Sequence, residues 1–348
     1  MTRASLLACL AVGAVVSTVQ GEDWTRFRGP NGSGVGSAEG IPVEFSVEDC
    51  LWRIQLPGKG HSSPAIIAGK LFITSADPDS AKRFAMGYDA VSGESLWVKT
   101  YDTDTHRVHA RNSYASSSPA VDDERVYVCW ATPDNYEVLA LRQADGELVW
   151  RRSLSPFKSQ HGFGTSPMVL DGLVILTNDQ LGESFIVALE PATGEIVWKT
   201  PRDSGSAAYG VPCVYSHADG RKELIVCSTA NGISGLDPKT GKTNWSADVF
   251  TQRSVASPVC VGDLVLGQCG QGGGGTYFVA VRPPAKAGGE AEVAYSFSKG
   301  APYVPTPVAA DGLVFLVHDR GTVMCIDANS GETIYNERIG GGISGSPV

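Results

Sequence analysis

From Ser62 onward the chain alternates between short apolar runs and clusters of Gly, Asp, Asn, Ser and Pro. Ala65-Ile66-Ile67 gives way to Gly69-Lys70 and then to Leu71-Phe72-Ile73. Met168-Val169-Leu170 gives way to Asp171-Gly172 and then to Leu173-Val174-Ile175-Leu176. Such runs, bounded by turn formers, are too short for helices and predict strands. Asp171-Gly172, Gly262-Asp263 and Asp311-Gly312 are two-residue hairpin signals, because tight hairpin turns need residues that tolerate positive φ. A third run follows, as in Phe185-Ile186-Val187-Ala188-Leu189 and Thr322-Val323-Met324-Cys325-Ile326. A polar loop with Gly then leads to a fourth run carrying an aromatic residue.

This group of four repeats. It opens with Ser-Pro or a similar pair at Ser63-Pro64, Ser118-Pro119, Ser166-Pro167, Val211-Pro212, Ser257-Pro258, Thr306-Pro307 and Ser346-Pro347. The aromatics are Trp97, Trp150, Trp198, Trp245, Tyr295 and Tyr335, and Trp52 precedes the first unit. Four strands in roughly 40–55 residues is the period of a propeller blade. The predicted fold is therefore an all-β propeller of four-stranded antiparallel blades over residues 49–348. Six complete blades run from Ser62 to Ile339, with partial strands at both ends: Leu51 to Leu56 as a lone fourth strand around Trp52, and a new unit starting at Ser346-Pro347.

The loop before the fourth strand is the most regular segment. It reads Asp89-Ala90-Val91-Ser92-Gly93-Glu94-Ser95-Leu96-Trp97, and returns at Glu190–Trp198, Asp237–Trp245 and Asp327–Tyr335; the copy at Arg142–Trp150 keeps Gly146 and the Trp. Side-chain oxygens there accept from free N–H groups of the turn, and Gly supplies the left-handed residue. With the aromatic four residues past the Gly, its ring can lie between one blade and the next. The loop resembles the tryptophan-docking motif Ala-x-Asp-x-x-Thr-Gly-x-x-x-Trp of the pyrroloquinoline-quinone-like β-propellers, the superfamily of quinoprotein alcohol dehydrogenases and of BamB-like outer-membrane assembly proteins. The motif's small residue falls on Gly87, Ala140, Ala188, Gly235 and Cys325. Relatives of this kind run to about eight blades, so the resemblance implies a propeller incomplete at its C-terminus. The fifth unit departs from the motif, with Pro283 to Gly289 in place of the loop. Trp52, Trp97, Trp150, Trp198, Trp245 and Tyr335 are expected to dock blades rather than do chemistry.

Composition narrows the function classes. The 348 residues carry 28 basic and 37 acidic side chains, a net charge of −9 without any Lys/Arg block, which argues against nucleic acid or anionic membrane as partner. Residues 1–21 combine Arg3 with an apolar stretch from Leu6 to Val16 and small residues before Glu22, the pattern of a secretory signal peptide. A membrane anchor is the alternative reading, but the stretch falls short of a span. Cys9 sits too early for a lipoprotein anchor. Export to the periplasm or cell envelope is expected, with residues 22–48 as a lead-in whose Trp24-Thr25-Arg26-Phe27-Arg28-Gly29-Pro30-Asn31-Gly32 resembles the start of exported bacterial propellers. The seven remaining cysteines form no CxxC pair or zinc-type spacing and read as packed thiols.

Loops entering each first strand open at one mouth of a propeller's channel. They hold His61, His109, Arg111, Asn112, His161, Tyr209, Arg253 and Tyr303, together with His106. A rim of His, Arg and Tyr combines hydrogen bonding with contact area and is a candidate binding site; the plainer role is to cap strand ends. No catalytic residue, cofactor or metal ligand is assigned. His106-x-x-His109 is only a pair, and Gln271-Gly272-Gly273-Gly274-Gly275 reads as a hairpin tip rather than a phosphate cradle. The resemblance implies a non-catalytic scaffold that binds an envelope protein, as BamB-like proteins do. The alternative it implies is a quinoprotein dehydrogenase with the quinone and calcium in the channel, although the adjacent cysteines typical of that class are missing here.

Overall fold

The computed structural model describes residues 22–37, 40–272 and 274–348; the expected signal peptide and Cys9 lie outside the described residues. Among them, twenty-four strands form six four-stranded antiparallel sheets, each built of strands consecutive in sequence. They are blades 1 (65–101), 2 (120–155), 3 (168–202), 4 (213–247), 5 (259–297) and 6 (308–338). The hairpin turns follow the residues that allow them: Asp171 and Gly172 have φ of 47° and 76°, Asp311 and Gly312 51° and 76°. In blade 1 the turn is Ala68-Gly69, one residue earlier than Gly69-Lys70, and Lys70 already pairs with Ile67.

Burial explains the sequence pattern of each strand. Middle strands such as β6 (Arg125–Ala131) and β11 (Ser184–Leu189) are buried along nearly their whole length. Both of their faces pack on neighbouring blades, so they read as continuous apolar runs. Outer strands such as β4 (Ser95–Tyr101) and β12 (Ile196–Arg202) are largely exposed apart from the docking Trp. The apolar interior divides into five clusters, each shared by two consecutive blades. Stability is therefore built from interfaces between neighbours, as in other repeat proteins.

Two devices join the blades. The docking indole lies over the loop glycine of the following blade and donates to a carbonyl there: Trp52 to Ala90, Trp97 to Gln143, Trp150 to Pro191 and Trp198 to Pro238, at 2.8–3.1 Å. At Gly194 a Cβ would stand 2.6 Å from the Trp150 ring. Glycine there satisfies two demands, a φ of 69° and ring contact. The motif's small residue lies directly across from its own aromatic, as in Gly87 opposite Trp97 and Ala188 opposite Trp198. Nearer the axis, where the residue before the proline carries a hydroxyl, that hydroxyl accepts the backbone N–H of its counterpart one blade earlier. Ser63 donates to Ser118, Ser118 to Ser166, Val211 to Ser257, Ser257 to Thr306 and Thr306 to Ser346, at 2.8–3.0 Å.

Two expectations change, and Trp245, though its ring is buried in the cluster shared by blades 4 and 5, docks differently from the other indoles. Residues 51–56 form no strand, because no third strand lies beside them to pair with among the described residues; Trp52 docks regardless. Trp245 does not donate to the next blade, whose loop is the atypical Pro283–Gly289 stretch. Its Nε1 donates instead to buried Glu223 of its own blade at 2.6 Å. Asn244 and Arg221 also bind that carboxylate, and Arg221 reaches the carbonyls of Pro284 and Ala285, so a polar network replaces the missing motif. Tyr335 meets no docking loop among the described residues and is 41% exposed. The described cysteines carry free thiols, most of them buried; the sulfurs of Cys213 and Cys260 lie 3.4 Å apart between blades 4 and 5.

Candidate functional site

The loops leading into the first strands surround a cavity of about 2150 Å³. The lead-in crosses the interior from blade to blade. Trp24 pairs with Ile66 of blade 1, and the Thr25 carbonyl accepts from Val121 of blade 2. Arg26 reaches Met168 of blade 3 and the Pro212 carbonyl of blade 4. Asn31 makes a two-way bond with the Val214 backbone, and Arg28 donates to the Pro307 and Pro347 carbonyls as well as to Gly32 and Ser33. Its tight course uses left-handed residues at Arg28, Gly29, Asn31 and Gly32. Arg26 is fully enclosed, and that burial lowers its guanidinium to about 10.

Trp24, Phe27 and Arg28 thus form part of the cavity wall, while the mouth is ringed by the loops entering the first strands. All eight candidate rim residues, His61, His109, Arg111, Asn112, His161, Tyr209, Arg253 and Tyr303, line this one cavity. His106 does not; its ring packs edge-on against Tyr114. The eight divide by what their polar atoms do. Asn112 is spent on bracing: its amide donates to the carbonyls of His161 and Phe163, and its oxygen accepts from Ser113 and Ser116. It thereby ties the 106–117 loop to the 160–164 loop and brings the His109 and His161 rings to 4.8 Å. Tyr209 meets Ser159, and His61 lies 3.4 Å from the Ser116 hydroxyl.

Arg253 is different. A guanidinium only donates, and its Nη1 points at His161 Nδ1 at 2.9 Å, so the imidazole accepts and is neutral there. Burial lowers the His161 pKa below the ordinary value, and the Arg253 guanidinium and the neighbouring His109 ring add to the effect. Burial raises the Tyr303 phenol, with Arg253 opposing it. Arg253 Nε is buried without a hydrogen-bond partner. Neither Arg111 nor Arg253 forms an ion pair among the described residues.

Sequence reasoning missed the second half of the lining. Hairpin tips between second and third strands contribute Gln271 and His318-Asp319-Arg320, and the lead-in contributes Glu22 and Arg28. Asp319 is occupied in accepting the backbone N–H groups of Tyr303 and Val304. The Gly-rich segment is a hairpin tip as expected, with Gln271 paired to Gly274.

A family model described as outer membrane protein assembly factor BamB matches residues 86–337, most of the chain. The chain belongs to the BamB family of β-propellers. Its match to BamB of Moraxella catarrhalis has a TM-score of 0.59 at 20% identity, covering 80% of this chain and 75% of that one, and carries the fold alone. Among curated relatives, tetrathionate hydrolase of Acidithiobacillus ferrooxidans is 25% identical over 315 residues, 83% of this chain. Quinoprotein alcohol dehydrogenase PedH of Pseudomonas putida is 30% identical over 118 residues, 33% of this chain. This BamB-family propeller spans 57% of the hydrolase and 17% of the dehydrogenase. Among the described residues, no helix is long and apolar enough to cross a membrane.

Proposed function

We propose that this BamB-family propeller is an exported, non-catalytic scaffold that holds a partner protein of the cell envelope at the open mouth of its cavity. The observation that carries the reading is the convergence of eight rim side chains from six different loops on one mouth, with arginines among them that no described carboxylate engages. Large side chains with spare hydrogen-bonding capacity around a concave centre are what protein recognition uses. Asn112 holds two of the loops together, so the rim is organised before a partner arrives.

Affinity capture from a periplasmic extract tests this, with the bound proteins identified by mass spectrometry. Wild type is expected to retain an envelope protein that the His109→Ala/Arg111→Ala/His161→Ala variant loses, both folding equally by circular dichroism. Equal recovery on both removes the rim from the site.

The stretch 30% identical to a quinoprotein alcohol dehydrogenase supports a second reading, an enzyme with pyrroloquinoline quinone and calcium in the channel. Calcium takes six to eight oxygen ligands. The cavity wall offers the carboxylates of Glu22 and Asp319, the latter already spent on two backbone N–H groups, and no three His, Cys, Asp or Glu side chains gather as a metal site among the described residues. The described residues do not fit the ion. Dye reduction with an alcohol, after adding quinone and calcium, is expected to stay at background; saturable turnover reverses the choice.

A further inference from the structure

The cavity carries a sign that the rest of the molecule does not. The chain's net charge is −9, yet the cavity is lined by Arg28, Arg111, Arg253 and Arg320 against the carboxylates of Glu22 and Asp319. The carbonyls around Arg28 satisfy it. Arg253 is not satisfied. Partly buried, it presses Nη1 on a neutral imidazole and Nη2 on the Gln160 oxygen at 3.4 Å, and its Nε has no partner. Arg111 stands on the loop entering blade 2, which Asn112 ties to the His161 loop, and the Arg111 backbone N–H is held by His109 Nδ1 at 3.2 Å. A half-buried guanidinium that meets only neutral acceptors is short of an anion, because charge-assisted pairs are roughly twice as strong as neutral ones.

We propose that the mouth of the cavity recognises a carboxylate, presented by an acidic peptide segment, between Arg253, His161 and Arg111. This rests on the scaffold reading: an oxyanion brought by a partner protein is a side-chain or terminal carboxylate. Planar guanidinium donors match the two oxygens of a carboxylate. A carboxylate meeting Arg253 frees His161 from its role as stand-in acceptor. Tyr209 and Tyr303 line the same cavity and add aromatic surface for a peptide. The lead-in crosses the interior and lines part of it, which suits a chain end or loop tip rather than a strand threading through.

Fluorescence anisotropy with fluorescein-labelled hexaglutamate tests the idea directly. Saturable binding is expected, weakened about tenfold or more in Arg253→Gln and again in Arg111→Gln, and weakened by added salt. Labelled hexalysine is expected not to bind. Arg253→Lys, which keeps the charge but not the fork, is expected to fall in between, and thermal melts by circular dichroism separate lost binding from lost folding. No saturable hexaglutamate binding, or equal binding by folded Arg253→Gln/Arg111→Gln, overturns the proposal. So does displacement by inorganic sulfate at equal concentration, which makes the site one for free oxyanions. If capture of an envelope protein survives while hexaglutamate fails, the carboxylate chemistry is wrong and the scaffold stands; the reverse result sinks the scaffold alone.

Discussion

Arg253 and His161 set the chemistry of the mouth, because the guanidinium that donates to the imidazole opposes its protonation. His161 titrates below its ordinary value because burial, then the Arg253 guanidinium and the His109 ring beside it, oppose protonation; Gln160 on the same loop brings no charge. The unfolded chain protonates this ring near pH 6.5. Between that value and the lower folded one, the unfolded state binds a proton that the folded state refuses. Stability is then full above about pH 6.5 and falls as pH drops through the folded value. His106, also lowered mainly by burial, adds a slope of the same sign. Urea unfolding at pH 7.5 and 5.0 is expected to show a smaller acid loss in His161→Gln than in wild type, since Gln still accepts from Arg253 and takes no proton. Equal losses remove His161 from the pH response.

Among elements, the fourth strand with its aromatic does the joining, and its contribution depends on what the next blade offers. The Trp150 ring is 8% exposed, lies over Gly194 and donates to Pro191. Trp150→Ala leaves a cavity between blades 2 and 3 and is expected to cost about 3–5 kcal/mol. Tyr335 occupies the same place in its own blade but is 41% exposed and meets no docking loop among the described residues, so Tyr335→Ala in this chain is expected to cost about 0.5 kcal/mol, the range of an ordinary surface change. Urea midpoints of the two variants give the comparison, and similar costs mean that the rings do not join blades. This much was legible in the sequence, because strands, turns and docking loops are local patterns that recur. Glu223 was not: in Lys222-Glu223-Leu224-Ile225 it reads as the exposed start of a strand, and only the folded chain puts it under the Trp245 indole. The eight rim residues could be named because topology sends every strand-one loop to the same mouth. His318, Asp319 and Arg320 lie on loops between second and third strands, which reach the same end by a turn the sequence reading did not follow.

At the scale of the molecule, interfaces between neighbours alone would let the six described blades unfold in parts, since each blade contacts only those beside it. The lead-in changes that. It is the one described segment that bonds to blades 1, 2, 3, 4 and 6 at once, and it does so almost wholly through backbone carbonyls and N–H groups far along the chain. Its course was invisible in the sequence for the same reason, because a carbonyl acceptor leaves no trace in residue identity. A clasp of this kind makes unfolding more cooperative, because losing any one blade breaks bonds that the others share. In wild type, tryptophan fluorescence and far-ultraviolet circular dichroism are expected to trace a single coincident urea transition. In the Arg26→Ala/Arg28→Ala/Asn31→Ala variant the two probes are expected to separate, and the apparent m-value to fall, because blades then unfold in groups that each expose less surface. A midpoint that drops while the slope holds and the probes still coincide makes the lead-in a local stabiliser, and the cooperativity then belongs to the stacked blades themselves.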